Sequence, residues 1–132
     1  MKALIDTHVL LWALFEPRRI SSVAKKSIEM ASNEVFVSAL SFWEISLKYQ
    51  LGKLELSGCF PDELPEQVRA MGLEIEEVST NLMASFYRLP IEKHKDPFDR
   101  LLAWQAIQEG LVLITKDSAF STYQSAGLKT LW

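Results

Sequence analysis

KALIDTHVLLWALF, residues 2–15, is the stretch whose reading decides the fold. Residues 2–5 read as a short buried strand, and Asp6 stands at its C-terminal end. THVLLWALF, residues 7–15, then reads as a helix that stops before Pro17. A strand that runs straight into a helix is the opening of a β–α unit. The rest of the chain repeats that alternation. SSVAKKSIEMA, residues 21–31, is an amphipathic helix with serine at its start. EVFVS, residues 34–38, is a second strand, and the helix after it runs to Gly52. KLELSGCF is a loop or an edge segment, and Asp62 is placed to cap a helix through Met71. LEIEEV is a third strand, and Ser79 caps a helix through Arg88. Asp96 opens a helix that ends at Gly110; LVLIT is a fourth strand and KTLW a short fifth. This order argues for an α/β fold with a parallel sheet and helices on both faces. Such sheets carry ligands beyond the C-terminal ends of their strands. Asp6 and Asp117 both stand there.

Composition narrows the function classes. The 132 residues suit one domain, and 48% hydrophobic residues supply a real core. The net charge of −3 is no general footprint for nucleic acid, so any such binding rests on a local patch. One cysteine, Cys59, leaves no internal disulfide framework and no four-cysteine zinc site, as expected of a reducing, cytoplasmic setting. Asp6 and His8 interrupt the apolar N-terminus, which argues against a signal peptide. No segment has the length of a membrane span.

The informative residues are acids. Asp96 has an ordinary structural explanation, because Asp followed by Pro favours a helix start. Asp99 suits the positive end of that helix. Yet it shares a face with Leu102, Ala103 and Ala106, where a lone carboxylate is costly without compensation. Glu44 lies in a helix apolar nearly all round, which implies burial, and its ordinary reading is an exposed i,i+4 pair with Lys48. Asp117, in TKDSAF, has an ordinary reading as a cap. Asp6 directly follows a buried strand and calls for a partner. In a parallel sheet these acids can converge on one pocket. Carboxylates ~5 Å apart repel by roughly 3 kcal/mol at an effective dielectric near 20. Such a cluster needs cations, and all-oxygen ligands favour Mg²⁺, with Mn²⁺ the alternative, over zinc. His8 and His94 form no zinc-binding pair by spacing. His94 reads as a loop residue and His8 as a supporting one.

Four segments carry a family resemblance: LIDTHVLLW, SALSFWEISLK, DPFDRLLAWQA and LITKDSAFSTY. Each is weak alone; in this order, over nearly the whole chain, they resemble a PIN-domain ribonuclease, specifically a VapC-type toxin of a toxin–antitoxin pair. The resemblance implies an α/β/α sandwich around a parallel sheet of four to five strands, formed by residues 1–132 as one nuclease domain. It carries the metal-binding, catalytic acids onto Asp6, Glu44, Asp99 and Asp117, with Asp96 and Thr115 supporting them. It also implies Mg²⁺, an RNA substrate, a homodimer and a cognate antitoxin. Lys48, Arg100 and Lys116 are candidates for the RNA backbone, with solvated surface charge as the ordinary alternative. A receiver-type signalling domain is the competing reading. It wants an acidic pair after the first strand, where THV stands, and gives Glu44 and Asp99 no role. A catalytically inactive interaction module is the other.

Overall fold

The computed structural model describes residues 1–132. Five parallel strands form one sheet: β1 (Lys2–Ile5), β2 (Glu34–Ser38), β3 (Glu74–Glu76), β4 (Val112–Ile114) and β5 (Lys129–Leu131). Their order across the sheet is β3-β2-β1-β4-β5. β1 is central: Leu4 lies opposite Phe36 on one side and Leu113 on the other. Side chains alternate between the two faces of a strand, which explains why β1 serves two cores. Leu4, Phe36 and Leu113 join one cluster, while Ala3, Ile5, Val35, Val37 and Ile114 join the other.

Six α-helices complete the sandwich. α1 (Thr7–Phe15), α2 (Ser22–Glu29) and α4 (Leu64–Ala70) supply Val9, Leu10, Ala24 and Val68 to the face of Ile5. α5 (Thr80–Ala84) and α6 (Pro97–Glu109) supply Leu82, Leu102, Ala103 and Ala106 to the face of Leu4. α3 (Ala39–Gln50) bridges the two, with Leu40 in one core and Ile45 in the other. None of the helices is long and apolar enough to cross a membrane.

Several expected boundaries differ. Asp62 caps nothing. It lies inside a 3-10 turn, Pro61–Glu63, because prolines at 61 and 65 control the entry to α4. The third strand keeps only Glu74–Glu76. The Leu73 N–H turns back to Val68 O, and the Glu77 carbonyl accepts from the buried Gln105 amide. The helix from Ser79 stops at Ala84, and a separate 3-10 turn follows at Phe86–Arg88. Ser85 marks the break: its hydroxyl donates to Leu82 O and accepts from Trp104 Nε1. Finally, α3 is not covered all round, since Trp43 is 61% exposed and Tyr49 36%.

Leu4 is fully buried at the centre of the sheet. We predict that Leu4→Ala lowers stability by about 2–5 kcal/mol through lost transfer energy and a residual cavity. Urea denaturation checks this; a loss under about 1 kcal/mol means that the site collapses around the smaller side chain.

Candidate active site

Asp6 is the first acid placed by the fold. It leaves β1 in extended backbone and caps α1, with Oδ1 accepting from Val9 N at 2.8 Å. β4 lies beside β1, so Thr115, one residue past β4, meets the other oxygen: its hydroxyl donates to Asp6 Oδ2. Asp6 is only 3% exposed. Burial pushes its carboxyl up from the ordinary range, against the pull of Thr115, Val9 N–H and His8. Each oxygen has accepted one bond, so each still has acceptor capacity.

Thr115 joins two acids. While its hydroxyl donates to Asp6, its oxygen accepts from Asp117 N at 3.0 Å. Asp117 caps the following 3-10 helix, Ser118–Ala126, by accepting from Ala119 N at 2.9 Å. The capping reading of Asp117 is thus correct, and it leaves the carboxylate exposed at the mouth of a cavity of about 210 Å³. Asp6, His8, Trp12 and Lys116 complete the lining.

α6 brings the third acid. Asp96 Oδ1 accepts from the N–H groups of Phe98 (2.9 Å) and Asp99 (3.1 Å), which starts the helix and orients its first turn. Asp99 is half-buried, and its Oδ2 lies 3.0 Å from His94 Nε2. Burial, and next the charge of Asp96, raise its carboxyl to about 6, against the hydrogen bond from His94. Glu44 adds to the rise. Ligand atoms of His94, Asp99 and Asp117 all lie within 4.8 Å of one another.

Glu44 is buried, as its apolar helix implies, and its i,i+4 pair with Lys48 forms without the exposure expected of it. It is 4% exposed, yet its Oε2 pairs with Lys48 Nζ one turn along α3. Burial works against the Lys48 charge. The hydrogen bond and charge of Glu44, helped by Asp96 and Asp99, outweigh it and hold the ammonium above its ordinary range. Near Glu44, Thr7 Oγ1 donates to Ser41 Oγ at 2.9 Å and ties α1 to α3.

Two expectations about basic and imidazole groups change. Arg100 is engaged within the fold. Its guanidinium donates to Pro90 O and Tyr123 OH and lies over the Phe86 ring, which ties the 89–95 loop to the fold. Lys116 does stand at the rim, lining the cavity of Asp6 and Asp117. His94 is more than a loop residue. Its ring packs on Phe120 and Tyr123, and its carbonyl accepts from Tyr123 OH. Nδ1 is buried without a partner, so a proton on Nε2, facing Asp99, leaves only a lone pair unmatched. The spacing of five residues to Asp99 was the only hint of this contact. His8 borders both the cavity of Asp6 and that of Glu44.

A larger cavity, about 500 Å³, lies at the opposite end of the sheet. Ala31, Asn33 and Leu73 in its lining precede β2 and β3, so it is on the side where parallel sheets do not carry their ligands.

The raised Asp99 carboxyl has a stability consequence. An acid whose folded value is above its unfolded one stabilises most at pH below 3.8, and that contribution is lost as pH rises through about 6. The full difference corresponds to about 3 kcal/mol, and partial exposure reduces it to about 1–2 kcal/mol. In chelator, Asp99→Asn therefore gains stability over the unsubstituted protein at pH 7.5 and not at pH 4. Paired denaturation curves at the two pH values test this. An equal difference at both assigns the effect to packing instead of charge.

A sequence description of the PIN domain matches residues 3–125. Ribonuclease VapC22 of Mycobacterium tuberculosis (strain ATCC 25618 / H37Rv) is 31% identical over 132 residues, covering 98% of this chain and 97% of that protein. DNA-bound VapBC from Salmonella typhimurium aligns with a TM-score of 0.67 at 17% identity, over 99% of this chain and 97% of that one. VapBC2 from Rickettsia felis, bound to a promoter DNA fragment, aligns with a TM-score of 0.66 at 17% identity, over 99% and 98%. These two likenesses are of fold.

Proposed function

The chain belongs to the PIN-domain family, in its VapC-type branch, and on that premise we propose that it is a metal-dependent endoribonuclease, the toxin of a toxin–antitoxin pair. Residues 1–132 act as one nuclease domain, working in the cytoplasm. The observation that supports this reading is the grouping of His94, Asp99 and Asp117 ligand atoms within 4.8 Å of one another, with Asp6 lining the cavity of Asp117 and Glu44 in the neighbouring cavity that shares His8. Three features fit a divalent cation. The donors are mainly carboxylate oxygens, which suits Mg²⁺ or Mn²⁺. Burial, then the charge of Asp96 and, less, that of Glu44 lift Asp99, and the one ammonium paired with the acids, Lys48, is bound to Glu44. Asp6 and Asp99 are the principal ligands; Glu44 and Asp117 complete the site.

A divalent cation held by Asp6 and Asp99, with Glu44 and Asp117, would supply Lewis-acid polarisation of the scissile phosphate and of a water nucleophile. The protein's residues do the positioning. Thr115 and Val9 N–H lock Asp6 in one rotamer, and His94 does the same for Asp99. Asp117 is exposed and open to substrate. Lys116 offsets the repulsion that an acidic pocket exerts on an RNA backbone.

Purified protein should cut single-stranded RNA in Mg²⁺ or Mn²⁺ and stop in EDTA. Asp99→Asn should lose about 100-fold or more in rate, in line with loss of a metal or electrostatic contact, and keep the native circular dichroism spectrum. Unchanged cleavage by that variant would remove Asp99 from the site.

Partners are part of the same proposal. Trp43 (61% exposed) and Met83 (52%) line an apolar hollow with Leu40, Phe86, Phe98 and Leu101. The Trp43 and Phe98 rings meet edge-on at 5.0 Å, and each directly precedes an acid of the site, Glu44 or Asp99. A second copy of the chain covers this patch, and an antitoxin segment lies across the neighbouring acids and inhibits cleavage. Light scattering at micromolar concentration should give a dimer and Trp43→Glu a monomer. A monomer without substitution would count against the arrangement.

A further inference from the structure

Three hollows follow one another along the exposed side of α1. The first contains Glu44 and Lys48, and it shares His8 with the second. The second contains Asp6, Asp117 and Lys116, and it shares Trp12 with the third. The third, about 260 Å³, is bounded by Trp12, Phe15, Glu16, Arg19 and Glu55. Trp12 is therefore the wall between the acids that act on phosphate and an adjoining space that the proposed reaction does not use.

The chemistry of that space is specific. Glu16 and Glu55 oppose a phosphate there, while an aromatic wall with carboxylate acceptors suits a nucleobase and its amino groups. The Trp12 indole is half-buried and braced by Trp132, edge-on at 5.8 Å. Arg19 lies over the ring at 4.5 Å, which places a planar group against this indole already. The Arg19 guanidinium pairs with Glu16 at 3.0 Å, and both side chains are 56% exposed, so a base that takes the Trp12 face displaces Arg19 from the ring and from Glu16, which frees that carboxylate for the base and the guanidinium for a neighbouring phosphate. Lys116 Nζ, 6.0 Å from the same ring, stands on the side of the acids.

We propose that Trp12 is a base-stacking platform that holds one unstacked nucleotide of the RNA immediately beside the scissile phosphate, with Lys116 and Arg19 on the flanking phosphates. This rests on the ribonuclease reading and deepens it: the substrate must present an unpaired nucleotide next to the cut, because a base inside a duplex cannot reach the indole. Trp12 is a specificity-determining residue here, separate from the metal-holding acids.

The test uses full-length Asp99→Asn protein in Mg²⁺, so that RNA is bound and not cut. The probe is a fluorescein-labelled single-stranded RNA of about 12 nucleotides, within the span that one binding groove covers, with a series in which each base in turn is removed. Binding is read by anisotropy. With Trp12 present, removal of one particular base should weaken binding about tenfold, the scale of a single stacking contact. Trp12→Leu should weaken the intact RNA by a similar factor and be indifferent to removal of that base. Trp12→Phe should retain most of the affinity and of the preference. Independently of any substitution of Trp12, 2-aminopurine at the identified position should lose fluorescence on binding, which covers the case in which Trp12→Leu does not fold. Equal binding with and without the Trp12→Leu substitution, with no base singled out, overturns the stacking site and leaves the ribonuclease reading standing. Absence of RNA binding by both proteins overturns the two together.

Discussion

The hydrogen bond from Thr115 to the buried Asp6 carboxylate is the interaction on which the site depends. Asp6 N–H also donates to Ile114 O at 3.1 Å, so backbone and side chain both bind the end of β1 to the end of β4. The same carboxylate caps α1. One acid thus closes a strand pair, starts a helix and turns its remaining lone pairs toward the cavity. A buried carboxylate is costly unless its oxygens are met. Here a hydroxyl and a backbone N–H meet them, and the unused acceptor capacity is what a cation would take up.

The other acids follow the same design, in which a structural duty sets a chemical one. Asp96 starts α6 and so aims Asp99, one turn further on. Asp117 caps the helix after β4 while its own N–H is tied to Thr115. Glu44 is oriented by Lys48 on its own helix. Capping bonds are local and form with the helix itself, so the carboxylates are positioned by elements that fold for their own reasons. The cost is electrostatic. Asp99 bears it most visibly, lifted to about 6 by burial and by Asp96. An environment that penalises the charged acids is one that rewards a divalent cation.

The surroundings divide into unlike sides. On one, Trp43, Phe98 and Met83 form an apolar rim beside Glu44 and Asp99. On the other, Trp12, Arg19 and Lys116 form an aromatic and cationic one. An apolar rim gains from contact with another protein, whereas stacking surfaces with cations gain from nucleic acid. An apolar surface and an aromatic, cationic one therefore border the acids on different sides.

Much of this was legible in the chain. The strand–helix alternation from Lys2 onward gave the parallel sandwich, because hydrophobic period and capping residues are local signals. Asp6, Glu44, Asp99 and Asp117 stood out because each is a charge where the local pattern calls for burial or a turn. The limits of the reading are equally physical. Asp62 looked like a cap, but nearby prolines controlled that helix entry. α3 looked buried all round, and Trp43 proved exposed, because apolarity alone does not say how much of a helix the rest of the chain covers. Arg100 looked like a phosphate contact and is held by Tyr123 and Pro90, and His94 looked like loop and grips Asp99. The sequence by itself determined the elements and the acids at their ends. Only the tertiary structure decided that Thr115 reaches Asp6 across 109 positions, that His94 meets Asp99, and that Trp12 walls the cavity, since those contacts join side chains from separate elements and leave no periodic trace in the chain.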